Sequence, residues 1–211
     1  MRRVLLPTTI GLLVARLLVA QELQTIPADA ARAYGEMGVK LAEKLDNPQI
    51  KIVADVSKAS GVHVPDMLGL LLVPQKDLRE GPELVAQFKA EKGAPLAYVF
   101  AYKILPLVDG KPVDAKRLPS IKVKDDQGNE HAVHVLLLSV RQAAEDDYRL
   151  YGFGKDAKPI VDAKFTQGDD SGSGPVTIEI KEPDESARQG TVVVTVFGKY
   201  RASFRAAHVA D

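Results

Sequence analysis

The stretch His131–Arg141, HAVHVLLLSVR, is the most continuously apolar run outside the N-terminus and decides the predicted fold. In an extended chain, successive side chains point to opposite faces. The odd-numbered apolar residues from Val133 to Leu137 therefore share one face, and the even-numbered ones from Leu136 to Val140 share the other. A strand that is apolar on both faces is covered on both sides, so this stretch predicts a central strand.

Shorter segments before and after this strand alternate apolar and polar residues, which is typical of the outer strands of an antiparallel sheet. The predicted strands are Gln49–Val56, Leu68–Val73, Leu96–Leu105, Ser120–Asp125, Tyr148–Phe153, Ile160–Phe165, Val176–Lys181, Thr191–Phe197 and Tyr200–Ala206. Turn residues such as Asp109-Gly110 and Gly198-Lys199 join neighbouring strands as hairpins. The pattern predicts a mainly β protein, an antiparallel β-sandwich with one or two helices in its N-terminal half.

Two helices are predicted, over Pro27–Asp46 and Pro82–Lys92, each with a proline in its first turn. In the first helix, apolar residues recur at spacings of three and four, and we expect this stripe to pack on the sandwich: Tyr34, Met37, Leu41 and Leu45. The predicted organisation is a signal peptide over residues 1–20, an N-terminal helix over 21–47 and a β-sandwich domain over 48–211.

The first twenty residues resemble a secretory signal. Arg2 and Arg3 precede an apolar stretch, and Leu18-Val19-Ala20 precedes polar residues, so cleavage is expected after Ala20. A retained anchor and an ordinary N-terminal helix are the alternatives; Arg16 within the apolar part weakens the first of these. The sequence therefore predicts a secreted or periplasmic protein with no membrane span after cleavage.

Composition excludes several functions. Lys plus Arg and Asp plus Glu number 28 each, so the basic excess of a nucleic-acid binder is missing. The absence of cysteine excludes disulfides, thiolate metal sites and a cysteine nucleophile.

The loop Gly168–Pro175 resembles the nucleophile loop of chymotrypsin-like proteases, but it has an additional Asp and an interrupting Ser. No catalytic or cofactor-binding residues are predicted.

The candidates for metal binding are two histidines and a set of oxygen-rich turns. His131 and His134 are three apart on a strand, which places them on opposite faces and excludes a shared ion. Oxygen-rich turns offer the ligands that calcium prefers, and the candidates are Asp125, Asp126, Asn129, Glu130, Asp169 and Asp170. The same residue types are what tight turns require. Val123–Asn129 is also similar to a hairpin of bacterial immunoglobulin-like surface domains, which favours a sandwich.

Three functions remain open. The first is a non-enzymatic interaction or structural module of the cell envelope or extracellular space, which binds a protein or another envelope macromolecule. The second is a carrier for a small molecule or lipid, with an aromatic-lined cavity formed by Tyr98, Phe100 and Tyr102. The third is an enzyme that uses dispersed Asp, Glu and His residues.

Overall fold

The computed structural model describes residues 23–45, 50–65, 67–90, 93–125, 127–168, 174–184 and 186–210. In chain order, its elements are β1 (Gln24–Thr25), α1 (Ala28–Ala42), β2 (Ser60–Val64), β3 (Leu68–Pro74), α2 (Pro82–Lys89), β4 (Ala94–Tyr102), β5 (Ile104–Val108), β6 (Lys111–Pro112), β7 (Ser120–Lys124), β8 (Glu130–Ala144), β9 (Asp147–Phe153), β10 (Val161–Lys164), β11 (Thr166–Gln167), β12 (Val176–Asp184), β13 (Gln189–Val196) and β14 (Tyr200–His208). The predicted signal peptide lies outside these described residues.

The described strands form two antiparallel sheets that pack face to face. The first sheet has eight strands, in the order β1-β2-β3-β4-β8-β9-β10 with β7 on β8. The second has six, in the order β12-β13-β14-β5-β6 with β11 on β14. Leu72, Leu138 and Leu150 of the first sheet meet Val176 and Val194 of the second in one core. The predicted antiparallel β-sandwich, with two helices in the N-terminal half, is confirmed.

Strand β8 is the central strand that the sequence predicts. One of its edges pairs with β4, and the other pairs first with β7 and then with β9. Leu136 and Leu138 enter the core between the sheets. Val135 and Leu137 enter a second core on the outer face of the first sheet, where α1 packs. The long apolar run is therefore explained by burial on both faces.

Helix α1 packs on the sheet through its small residues. The buried positions are Ala31, Gly35, Gly38 and Ala42. A Cβ on Gly38 would lie 3.0 Å from the Phe100 ring, so a larger side chain does not fit at this separation. Tyr34 and Met37 were predicted to face the sandwich but are 54% and 38% exposed. The prediction is wrong for these two residues because the pattern of hydrophobic residues does not show how closely the helix lies to the sheet, and that distance requires small side chains at the contact.

Helix α2 lies within the predicted range and closes part of the core between the sheets. Phe88 is fully buried, and its ring lies 5.9–6.3 Å from the rings of Tyr148, Phe165 and Tyr200. These rings come from both sheets and from the chain between β10 and β11. The helix is thereby fixed to the sandwich by aromatic packing.

The predicted strand Leu96–Leu105 is two strands that belong to different sheets. Lys103 has a φ of 54°, a left-handed conformation that ends β4 at Tyr102. β5 then begins at Ile104 and pairs with β14 in the second sheet. Apolar alternation continues through this point, because both strands contribute to the cores, and therefore conceals the break.

The predicted strand Gln49–Val56 is also wrong in its described part. Residues 50–55 form only an isolated bridge between Ala54 and Gln75. The carboxylate of Asp55 accepts a hydrogen bond from the Ser57 backbone N–H and starts a short 3-10 turn. Ile52 is nevertheless buried in the outer core, which accounts for the apolar pattern.

Candidate functional site

Two sets of predicted site residues meet at the hairpin between β7 and β8. His131 lies between Asp125, a calcium candidate, and Tyr102, a predicted pocket residue. Its Nε2 is 3.0 Å from Asp125 Oδ2, and its Nδ1 is 3.2 Å from the Tyr102 hydroxyl oxygen. A neutral imidazole with its proton on Nε2 satisfies both contacts, because it donates to the carboxylate and accepts from the phenol. The three groups form one hydrogen-bonded chain.

The carboxylate of Asp125 also organises the hairpin turn. Oδ1 accepts the backbone N–H groups of Gln127 and Asn129 at 2.9 and 2.8 Å, and Oδ2 accepts Asn129 Nδ2 at 3.0 Å. The hydrogen bond from His131 holds the pKa of Asp125 well below its usual range, and those from Asn129 and Gln127 lower it further. Both carboxylate oxygens are therefore engaged within the hairpin.

The described calcium candidates serve this hairpin. Glu130 Oε2 accepts a hydrogen bond from Lys122 Nζ at 3.0 Å. Asp126, Asp169 and Asp170 lie outside the described residues. Within the described part of the chain, no three His, Asp or Glu side chains form a group that could hold a metal ion. Calcium binding stays a prediction from the sequence.

The three aromatic residues predicted to line a pocket lie in two different environments. Tyr98 and Phe100 are buried in the outer core, with ring centroids 5.9 Å apart. Tyr102 is partly buried and binds His131. A small apolar cavity of about 20 Å3 lies on the opposite side of β4, where Val99 and Ala101 line it. Ligand pockets measure about 300–1,000 Å3, so this cavity is too small for a lipid.

His134 lines this cavity with residues of both sheets, among them Leu136 and Phe204. His131 and His134 therefore lie on opposite faces of β8, as their spacing predicts. Among the described residues, the buried Nδ1 of His134 has no hydrogen-bond partner. Burial lowers the pKa of His134, and the positive charge of Lys155 lowers it further. The ring is thus held neutral in apolar surroundings.

The most exposed large apolar side chains on a helix belong to α1. We call them, with their neighbours on the same face, the α1 outer stripe: Ala30, Ala33, Tyr34, Met37 and Leu41. The stripe runs beside the buried face of the helix. Ala33, Tyr34 and Met37 are exposed, whereas Ala30 and Leu41 at its ends are half-buried and also pack against the outer core. The sequence does contain a signal for the buried face of α1, because small residues also repeat at helical spacing: Ala31, Gly35, Gly38 and Ala42.

Comparisons with known protein families, with curated proteins and with solved structures found no match to this chain. Neither described helix is long and apolar enough to cross a bilayer.

Proposed function

We propose that the protein is an exported, non-enzymatic β-sandwich module that binds another macromolecule through the α1 outer stripe. One observation carries this proposal: Tyr34 and Met37 are adjacent on the helix and exposed to 54% and 38%. Tyrosine and methionine are enriched in the cores of protein interfaces. Side chains of this kind contribute to binding only when a partner removes them from water.

Export is part of the proposal and rests on the N-terminal pattern. The arginine pair, the apolar stretch and Ala20 before polar residues have the order of a cleaved signal. A chain without cysteine also has no thiol that an oxidising compartment would modify. The proposed location of the mature protein is the bacterial envelope or the extracellular space.

The interior and the hairpin favour binding over transport or catalysis. The cavity of about 20 Å3 is too small to hold a lipid. The Tyr102–His131–Asp125 chain is closed by contacts among its own members and with the turn. We therefore assign it to hairpin stability, because it links the turn after β7 to β8 and to Tyr102 at the end of β4.

The test is a stripe-dependent capture experiment with the full-length chain as bait in envelope extracts. The double variant Tyr34→Ser/Met37→Ser removes the two apolar side chains from the stripe. The matched control is Val53→Ser/Met67→Ser, which changes two side chains that are 49% and 41% exposed but lie outside α1. We expect the stripe variant to lose bound material at least tenfold and the control to retain it. Equal capture by both variants contradicts the proposal.

A further inference from the structure

We infer that the macromolecule bound by the α1 outer stripe is a second copy of this chain, with the two α1 helices packed antiparallel about a two-fold axis. This inference rests on the proposed function and specifies its partner. A two-fold interface uses the same surface on both copies, so the surface must be self-complementary. The stripe has this property in its spacing and in its flanking charges.

The spacing of the stripe reads the same in both directions. Ala30, Tyr34, Met37 and Leu41 follow one another at intervals of four, three and four. When a second copy runs antiparallel, Ala30 faces Leu41 and Tyr34 faces Met37, and each contact occurs twice. A small residue then lies opposite a larger one at the ends, and the two long side chains pack at the centre.

The charges beside the stripe match in the same alignment. Asp29 lies at the start of α1 and Lys40 in its last turn, and helical spacing places both on one flank of the stripe; Lys44 follows the end of the helix. In the antiparallel pair, Asp29 faces position 42 of the second copy, between Lys40 and Lys44. All three side chains are exposed, and none forms an ion pair with another described residue. In the middle of the helix, Arg32 and Glu36 neutralise each other at 3.0 Å.

The size of the contact sets the expected strength. A single helix pair buries less than the roughly 1,200–2,000 Å2 of a standard stable interface, so the dimer should be weak and concentration-dependent. Two exposed ion pairs add little, about 0–1 kcal/mol each, and serve mainly to select the antiparallel orientation. We therefore expect a dissociation constant between about 10 µM and about 1 mM.

Disulfide trapping tests the orientation, because the chain has no cysteine and every cross-link reports an introduced residue. We expect a mixture of Ala30→Cys and Leu41→Cys chains to form a mixed disulfide dimer, since these positions face each other. Each variant alone should cross-link at least tenfold less. The two copies of residue 30, or of residue 41, lie about 16 Å apart along the antiparallel helices, whereas the two Cα atoms of a disulfide lie roughly 4.4–6.8 Å apart. Efficient self-cross-linking of Ala30→Cys, or no mixed dimer, overturns the inference.

Sedimentation equilibrium of the full-length chain tests the association without cysteines, from about 10 µM to about 1 mM. We expect the average mass to rise towards that of a dimer, and Tyr34→Ser/Met37→Ser to weaken association at least tenfold. Val53→Ser/Met67→Ser should leave it unchanged. A chain that stays monomeric overturns this inference, whereas stripe-dependent capture of another macromolecule would leave the proposed function intact. If the stripe variant changes neither measurement, both proposals fail.

Discussion

The two faces of the first sheet are both buried, but by different means. The inner face presents aliphatic side chains such as Leu138 and Leu150 to the second sheet. The outer face presents the aromatic rings of Tyr98 and Phe100 to a helix that contributes glycine and alanine at the contact. At the inner face, large side chains fill the space between the two sheets. At the outer face, small residues allow the helix backbone to approach the aromatic rings closely. The two faces should therefore respond oppositely to a change in side-chain size.

The largest expected effect is on the inner face. Leu138→Ala removes a fully buried side chain and leaves a cavity between the sheets, so the free energy of unfolding should fall by about 3 kcal/mol. Urea denaturation measures this loss. The control Ala132→Ser, at an exposed position of the same strand, should change stability by less than about 0.5 kcal/mol. A loss below about 1 kcal/mol for Leu138→Ala would mean that the inner core is not closely packed.

The outer face should be damaged by enlargement. Gly38→Leu forces a side chain against the Phe100 ring, where even a Cβ lies at 3.0–3.2 Å, and should destabilise the protein by about 2 kcal/mol. Ala28→Leu, at an exposed position of the same helix outside the stripe, should have almost no effect on the urea midpoint. If both leucine variants are equally stable, α1 is not held as closely to the sheet as the structure indicates.

The hairpin at the margin of the outer face should make stability depend on pH. Because hydrogen bonds depress the pKa of folded Asp125, its contribution is fully present above the carboxyl pKa of the unfolded chain, about 4, and is lost as the pH falls below that value. Asp125→Asn should therefore lower Tm at neutral pH and flatten the decline of Tm in acid. Asp109→Asn, in another hairpin turn, is the control. Parallel pH profiles for Asp125→Asn and the unaltered chain would contradict this assignment.

The smallest effect is expected where the chain passes from one sheet to the other. Lys103→Gly relieves a left-handed conformation but loses the contact of Nζ with the Tyr102 ring, 5.2 Å from its centroid. The relief of backbone strain offsets part of the lost side-chain interactions, so stability should fall by less than about 1 kcal/mol. Lys103→Val should cost about 1–2 kcal/mol, because a β-branched residue strongly disfavours positive φ. Equal urea midpoints for the glycine and valine variants would show that this φ does not constrain the crossover.

Sequence patterns predicted the parts of the fold that depend on side-chain hydrophobicity. The two-sided burial of β8 follows from apolar periodicity, and the hairpin of β13 and β14 follows from that periodicity together with the Gly198-Lys199 turn. The break at Lys103 was not predicted, because it is a change of backbone conformation within a segment whose apolar alternation continues without interruption. The packing of α1 was also missed, because its evidence is the small size of Gly35 and Gly38.

The hairpin site was predicted only in fragments. Asp125 and Asn129 were recognised as turn residues, and Tyr102 was assigned to a pocket. Their meeting through His131 depends on the register that sets β4, β7 and β8 side by side. No local spacing encodes a contact between residues 29 positions apart.

The crossover at Lys103 also determines the order in which the sandwich can assemble. Pro106 of β5 pairs with Ala206 of β14, 100 positions later, whereas the hairpin of β2 and β3 needs only neighbouring residues. Contacts between distant positions form slowly, so a growing chain carries β5 without its partner while earlier hairpins already pair. The second sheet thus stays open through most of synthesis. In the export that we propose, this delay would keep the chain unfolded while it passes through a translocation pore.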